Sequence, residues 1–409
     1  MTEFPHIRVA GGPVERGRMY GEQAKDRIVR SVVAYAEVFE HYTGWDWTTV
    51  RREAARFEVP IADFRPGYLA EMRGIAEGAG LDLLDVLAIN VRTEVMFAAE
   101  ARRAAGGDGR PGRLNRQTSE VRSADANPQT TLPGECSAFA VAAPPGRPGP
   151  TLTGQNWDWL PHASDTVVVL EARQDDGPDF VTVVEAGLLA KTGMNSAGLG
   201  LVTNALVTAD DTGAPGLPYH LMLRAILDTA TVSDALTALQ EGFRSSSANY
   251  LITHESGVAV DVEAAPGDFS RLYFVFPDPG NGVLLHTNHF VADRFDRLDV
   301  SVWAMPSSPV RLQRLLAGVG AMPPPGGSGR SPARASTDSL DAFRSLLSDH
   351  ADYPAAICCH PDPLAEPLDQ ARTVTSVLMD LNSRRMWIAD GNPCTTPYRE
   401  LDYSGFLAG

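Results

Sequence analysis

Apolar residues recur every three or four positions through much of the first hundred residues, the spacing of helices that bury one face. In GRMYGEQAKDRIVRSVVAYAEVF (17–39), Ile28, Val32, Tyr35 and Phe39 share a stripe. PGYLAEMRGIAEGAG (66–80) repeats the pattern with Leu69, Met72, Ile75 and Ala76, and Gly78 and Gly80 then supply a stop. LDLLDVLAINVRTEVMF (81–97) predicts a third helix. From 101 to 135 the periodicity vanishes. Gly, Pro, Arg, Ser and Thr dominate, and such a composition buries too little surface to offset its ordering entropy, which predicts a mobile loop.

After residue 136 the pattern changes to short β-rich runs separated by Gly and Pro. CSAFAVAA, TLTGQNWDW, TVVVLEAR and FVTVVEAG come first, followed by LGLVTNALV, ANYLITHES, GVAVDVEAA, RLYFVFP and GVLLHTNHF. Helical segments at 217–243 and 309–318 and a Pro/Gly/Ser-rich loop at 322–337 interrupt them. Two strands, TVTSVLMDL and RMWIADG, close the series. Strands and helices in separate groups predict a layered α+β fold rather than alternating βαβ units.

Composition narrows the function classes. The 409 residues suffice for one large domain or two of medium size. With 35 basic and 51 acidic residues the formal charge is 35 − 51 = −16, which argues against nucleic-acid and anionic-membrane partners. No apolar run is long enough to span a bilayer, and the opening residues lack the pattern of a signal peptide. Lys occurs only at Lys25 and Lys191, which reads as codon bias carrying little chemistry. Four cysteines without a C-x-x-C spacing are no disulfide scaffold and suit a reduced cytoplasmic setting.

Cys136 is the most informative residue. It opens a strand directly behind the flexible segment, and no papain-like signature surrounds it. A cysteine so placed suits an N-terminal nucleophile, because cleavage frees an α-amine that can act as base for its own thiol. Their ordinary pKa values, about 7.7–8.0 and about 8.5, lie close together. A buried core cysteine is the bland alternative. The turn PPGRPGP (144–150) makes a hairpin that returns GQNWDW, and with it Asp158, toward Cys136. A carboxylate there would hold the protonated amine; alternatively, Asp158 and Trp157 are turn and core residues. HTNHF (286–290) offers two imidazoles and an amide. Strand alternation would put Asn288 and His286 on one face with Thr287 and His289 on the other, which makes a poor metal motif. The amides of Asn288 and Asn204 are candidate oxyanion donors. Trp157, Trp159 and Phe139 are candidate walls of an acyl pocket, with core packing the commoner use of strand aromatics. Cys358, Cys359 and His360 read as a structural cluster, since vicinal cysteines fit poorly around one tetrahedral ion; no metal is assigned.

In order, MYGEQAK, YLAEMRGIAEGAGL, GECSAF, GQNWDW, AKTGMNSAGLGLVTNAL, HTNHF and RTVTSVLMDLNSRRMWIADGNPC span most of the chain. The set resembles the acyl-coenzyme A:6-aminopenicillanic acid acyltransferase (isopenicillin N acyltransferase) family of N-terminal nucleophile cysteine hydrolases. The resemblance implies a four-layer αββα sandwich with a helical N-terminal region, and a proenzyme that cleaves itself between Glu135 and Cys136. Residues 1–135 would then form a small subunit with a propeptide-like linker, and 136–409 the catalytic core. Cys136 would be the nucleophile, Asp158 the partner of its amine, Asn288 the oxyanion donor with Asn204 the second, and Arg372 an active-site arginine. Gln155 stands where more distant relatives, the bile-salt hydrolases and acid ceramidase, carry Arg, and Glu135 stands where the fungal enzyme has Gly. The expected activity is hydrolysis or transfer of an acyl group from a small amide or thioester, without cofactor. The two fragments would stay associated as a heterodimer, with further oligomerisation left open. Penicillins, N-acyl amino acids, β-alanyl amines and small peptides all stand open as substrates. Two rivals remain: an uncleaved thiol hydrolase pairing Cys136 with His286 or His289, and a binding module without catalysis.

Overall fold

The computed structural model describes residues 3–105, 136–142, 149–322 and 332–408, with no side chains given for 332–337. From the N-terminus, β1 (His6–Val9) leads into α1 (Pro13–Gln23), α2 (Lys25–Thr43), α3 (Trp47–Ala54), α4 (Glu58–Phe64), α5 (Pro66–Ala79), α6 (Leu83–Asn90) and α7 (Arg92–Ala105). Next come β2 (Cys136–Val141), β3 (Leu152–Trp159), β4 (Val167–Ala172), β5 (Phe180–Glu185), β6 (Thr192–Asn195) and β7 (Leu199–Ala205). After α8 (Tyr219–Leu227) and α9 (Val232–Gln240) run β8 (Ala248–His254), β9 (Val258–Ala264), β10 (Leu272–Val275) and β11 (Val283–His286). The chain continues through α10 (Ser301–Ala304), α11 (Ser308–Gly320), α12 (Pro332–Leu347), β12 (Arg372–Asp380), β13 (Arg385–Ala389) and β14 (Arg399–Asp402).

The helical reading of the first hundred residues holds, with local differences. The stretch 17–39 is two helices that meet at Ala24. In α5 the chain passes through Gly78 and stops only at Gly80, whose left-handed φ of 73° ends the helix. Gly78 has another use. A Cβ there would lie 2.3 Å from the Arg18 carbonyl oxygen, and one at Gly17 would lie 2.1 Å from that of Glu71, so α1 and α5 touch backbone to backbone. The mobile loop read at 101–135 lies largely outside the described residues, as does Glu135; Arg92–Ala105 is helical. In the loop read at 322–337, residues 332–337 belong to α12 and 323–331 lie outside the description.

Two sheets form the centre. One has eight strands in the order β1-β4-β5-β6-β7-β8-β9-β10, with β1 parallel to β4 and the other pairs antiparallel. The other has six antiparallel strands, β11-β2-β3-β12-β13-β14. Alternation along each strand separates the layers. In β4, Val168, Leu170 and Ala172 pack under the N-terminal helices, α8 and α9, while Val167 and Val169 face the second sheet. In β2, Cys136, Ala138 and Ala140 face the first sheet, while Phe139 and Val141 pack under α11 and α12 with Leu315, Phe343 and Leu347. The architecture is therefore a four-layer αββα sandwich. Residues 3–105 supply both a sheet strand and much of one helical layer.

Candidate active site

The hairpin register sets the frame. Cys136 pairs with Trp157 and Val141 with Leu152, so Asp158 follows directly beside Cys136. The Cys136 backbone N–H donates to Asn288 Oδ1 at 2.6 Å. The Cys136 carbonyl accepts from Arg311 Nη1 at 2.6 Å, and Arg311 Nη2 reaches the same Asn288 Oδ1 at 3.1 Å. Two donors on one oxygen settle which way the Asn288 amide points. Its Nδ2 donates to the Ala205 carbonyl at 3.0 Å.

The thiol lies beneath a narrow cavity of about 60 Å³, lined by Trp157, Asp158, Trp159, Lys191, Tyr219 and His220 among others. Burial pushes the Cys136 thiol up to about 11; the Lys191 and Arg311 cations and a hydrogen bond from the Asp158 backbone oppose that shift, and the Asp158 carboxylate adds to it. Burial in turn lowers Lys191 to about 8, with the Cys136 charge pulling the other way. The Lys191 ammonium sits 4.5 Å from the centroid of the Trp157 ring.

The Asp158 carboxylate accepts a 2.6 Å hydrogen bond from Thr373, its register partner on β12. Asn204 faces the second sheet. Its neighbour Val202 lies in the inter-sheet core, whereas Thr203 bonds the Tyr219 hydroxyl on the helical side. Both amide atoms of Asn204 are buried without a hydrogen-bond partner among the described residues. Gln155 is a strut between the sheets, its Oε1 accepting from the Thr203 N–H at 2.7 Å. Of the three candidate aromatics, Trp157 and Trp159 line the cavity. Phe139 instead stacks on Phe343 with centroids 3.7 Å apart, on the far face of its sheet. Arg372 donates to Asn392 at 3.0 Å, and the guanidinium bonded to Cys136 is that of Arg311.

The two imidazoles go elsewhere. β11 ends at His286, so alternation does not extend to Asn288. His286 Nε2 bonds Glu263 at 2.9 Å and Nδ1 lies 2.6 Å from the Thr287 carbonyl. His289 Nδ1 lies 2.8 Å from Ser308 Oγ. Neither ring bonds Cys136.

Sequence reasoning passed over Lys191 and Arg311. Lys191 was visible as one of only two lysines, set in a strand-rich stretch. Arg311 occupies the buried stripe of α11 with Leu315 and Val319, where a charge is out of place unless it is used. His220, buried at the cavity, is pushed well below the ordinary imidazole range by desolvation and by the nearby Arg92 and Lys191 charges.

An αββα sandwich with a polar cluster gathered on the first residue of a central strand is the architecture of the N-terminal nucleophile hydrolases. Residues 146–394 match the acyl-coenzyme A:6-aminopenicillanic acid acyl-transferase family, and the chain belongs to that family. It is 24% identical over 395 residues to the acyl-coenzyme A:6-aminopenicillanic-acid-acyltransferase 40 kDa form of Emericella nidulans, covering 95% of this chain and 93% of that protein. Among solved structures it is similar to penicillin V acylase from Agrobacterium tumefaciens, at 16% identity and a TM-score of 0.43, covering 66% of this chain and 86% of that one. The N-acylethanolamine-hydrolyzing acid amidase ortholog of Caenorhabditis elegans gives 13% identity and a TM-score of 0.40, covering 60% and 93%. No helix among the described residues is long and apolar enough to cross a membrane.

Proposed function

We propose that the protein is a self-processing cysteine acyl-transfer enzyme that cleaves Glu135–Cys136 and then hydrolyses or transfers an acyl group from a small amide or thioester. The observation that carries this reading is the set of bonds on Cys136. Its nitrogen is held by Asn288, its carbonyl by Arg311, and its thiol lies under a cavity beside Lys191. Evolving this much polar structure around the first residue of a strand has an evident use if that nitrogen becomes a free amine.

In processing, the thiol adds to the Glu135 carbonyl and the acyl group moves from nitrogen to sulfur. Water then releases the thioester, leaving a Glu135 carboxylate and a Cys136 amine. In turnover that amine, of a kind whose ordinary pKa is about 7.7–8.0, takes the thiol proton and passes it to the leaving group. Asn288 Oδ1 and the Asp158 carboxylate orient the amine. The unpartnered Asn204 amide supports its role as an oxyanion donor; Asn288 would join it by exchanging the Ala205 carbonyl for the tetrahedral oxygen. Water or an amine then discharges the acyl-enzyme. The fragments would stay together, because the first supplies β1 and helices that share a core with the second.

Intact-mass analysis of purified wild type and Cys136→Ala tests this. Fragments 1–135 and 136–409 are expected for the wild type and a single chain for the variant. A wild type that hydrolyses N-acyl amides while uncleaved overturns the reading. A mass-spectrometric screen over N-acyl amides and thioesters then identifies the acyl group.

A further inference from the structure

On the side of the second sheet away from the cavity, four side chains from two separate stretches point at one another. His350 follows α12, Cys358 and His360 lie in the connection to β12, and Cys394 follows β13. Their donor atoms all lie within 4.8 Å of one another. His360 Nε2 is 3.6 Å from Cys358 Sγ, 3.5 Å from Cys394 Sγ and 3.1 Å from His350 Nε2. A zinc ion with Zn–S of about 2.3 Å and Zn–N of about 2.0–2.1 Å makes a tetrahedron whose S–N edges are about 3.6 Å and whose N–N edge is about 3.3 Å. The three edges that meet at His360 Nε2 match those lengths to within about 0.2 Å.

We propose that His350, Cys358, His360 and Cys394 form a structural zinc site. Two thiolates and two imidazoles select zinc over the hard cations that prefer oxygen. Four protein ligands fill the tetrahedron, leaving no position for water or substrate, which is the arrangement of a structural rather than a catalytic site. The vicinal cysteines are no obstacle, since only one is used. Cys359 turns its sulfur toward the His360 carbonyl, 4.0 Å away. Asn392 supplies an outer contact, its Nδ2 lying 3.5 Å from Cys358 Sγ and 2.6 Å from the Cys359 carbonyl.

The site ties the 350–360 connection to the segment after β13, and this has a consequence at the cavity. The Cys359 N–H donates to Thr373 Oγ1 at 2.9 Å, and the same hydroxyl donates to Asp158 at 2.6 Å. The Thr373 N–H returns to the Cys359 carbonyl at 2.9 Å. The metal therefore holds the backbone that positions the hydroxyl bonded to Asp158.

The test uses the full-length Cys136→Ala chain, so that the cavity thiol contributes no metal binding and the result is independent of the catalytic reading. Elemental analysis after dialysis against a weak chelator is expected to find close to one zinc per chain. Cys394→Ser and His350→Ala should each lose it, and Cys359→Ser should keep it. Replacing zinc with Co²⁺ in the parent should give the intense visible absorption of a tetrahedral site together with thiolate-to-cobalt charge transfer, a readout that stands even if a ligand variant fails to fold. A chain without zinc, a cobalt spectrum lacking thiolate charge transfer, zinc lost in Cys359→Ser, or a Cys358–Cys394 disulfide in protein purified under reducing conditions would each overturn the proposal.

Discussion

Lys191→Met isolates how the thiol is activated. With the Cys136 thiol near 11, only about one molecule in 10⁴ carries a thiolate at pH 7. Lys191 is the leading charge that holds the thiol from rising further, and with its own pKa near 8 it is mostly protonated at pH 7. Methionine keeps the apolar stem on the Trp157 ring and removes the cation. An opposite charge within about 4–6 Å is worth about 1–3 pKa units, so the thiolate fraction should fall by about 10- to 1000-fold. The surviving thiolate is more basic and therefore more nucleophilic, with a Brønsted coefficient of about 0.4–0.5, which returns nearly half of that loss on a logarithmic scale. The net expectation is a fall of about 4- to 40-fold in reactivity. The assay is the rate of Cys136 alkylation by iodoacetamide from pH 6 to 10, followed by peptide mass spectrometry. The wild-type rate should climb less steeply above pH 8, where Lys191 loses its charge, and Lys191→Met should show a weaker bend, since the freed Cys136 amine alone remains to titrate there. Equal rates and the same profile in both proteins would refute the electrostatic account and leave Lys191 a packing residue.

Asp158→Asn should fold, because the amide oxygen still accepts from Thr373, while fragment formation or turnover drops by orders of magnitude. A normal cleavage time course beside an unchanged melting temperature would make Asp158 an ordinary strand residue. His286, bonded to Glu263 and facing Asp261, has its pKa raised to about 9 by those carboxylates against the opposing effect of burial. A folded-state pKa above the unfolded value of about 6.5 contributes stability that is full below pH 6.5 and lost as pH rises through 9, on the order of 3 kcal/mol. Asp261, raised to about 6, titrates below that window. Urea unfolding of wild type and His286→Gln at pH 6.5 and 9.5 checks this: Lys191 and Cys136 also titrate in that window, so the readout is the difference between the two proteins, and the same pH dependence in both would sink it.

Local pattern carried a good deal of this protein. Alternation and the Pro/Gly-rich break at 144–150 made the Cys136–Asp158 hairpin legible, because a two-residue period leaves few registers for the strands. The helices of the first hundred residues were legible for the same kind of reason, since each must bury one stripe. Family motifs in order pointed to the layered fold. What could not be read is what depends on contacts between segments far apart in the chain. Arg311 reaches Cys136 across 175 positions only because α11 packs on the outer face of the second sheet, and Arg372, nearer to the expected motif, is turned toward Asn392. Phe139 and Trp157 sit in neighbouring strands with similar sequence signals, yet one faces the outer helices and the other the cavity, according to which side of the sheet the partner layer covers. Of the cluster of His350, Cys358, His360 and Cys394, the chain itself shows only the neighbours Cys358 and His360; His350 and Cys394 join them only after α12, β12 and β13 have packed. Spacing along a chain sets which face a side chain takes; the charges and donors that meet it there come from whichever layer closes over that face, and only the tertiary structure decides that.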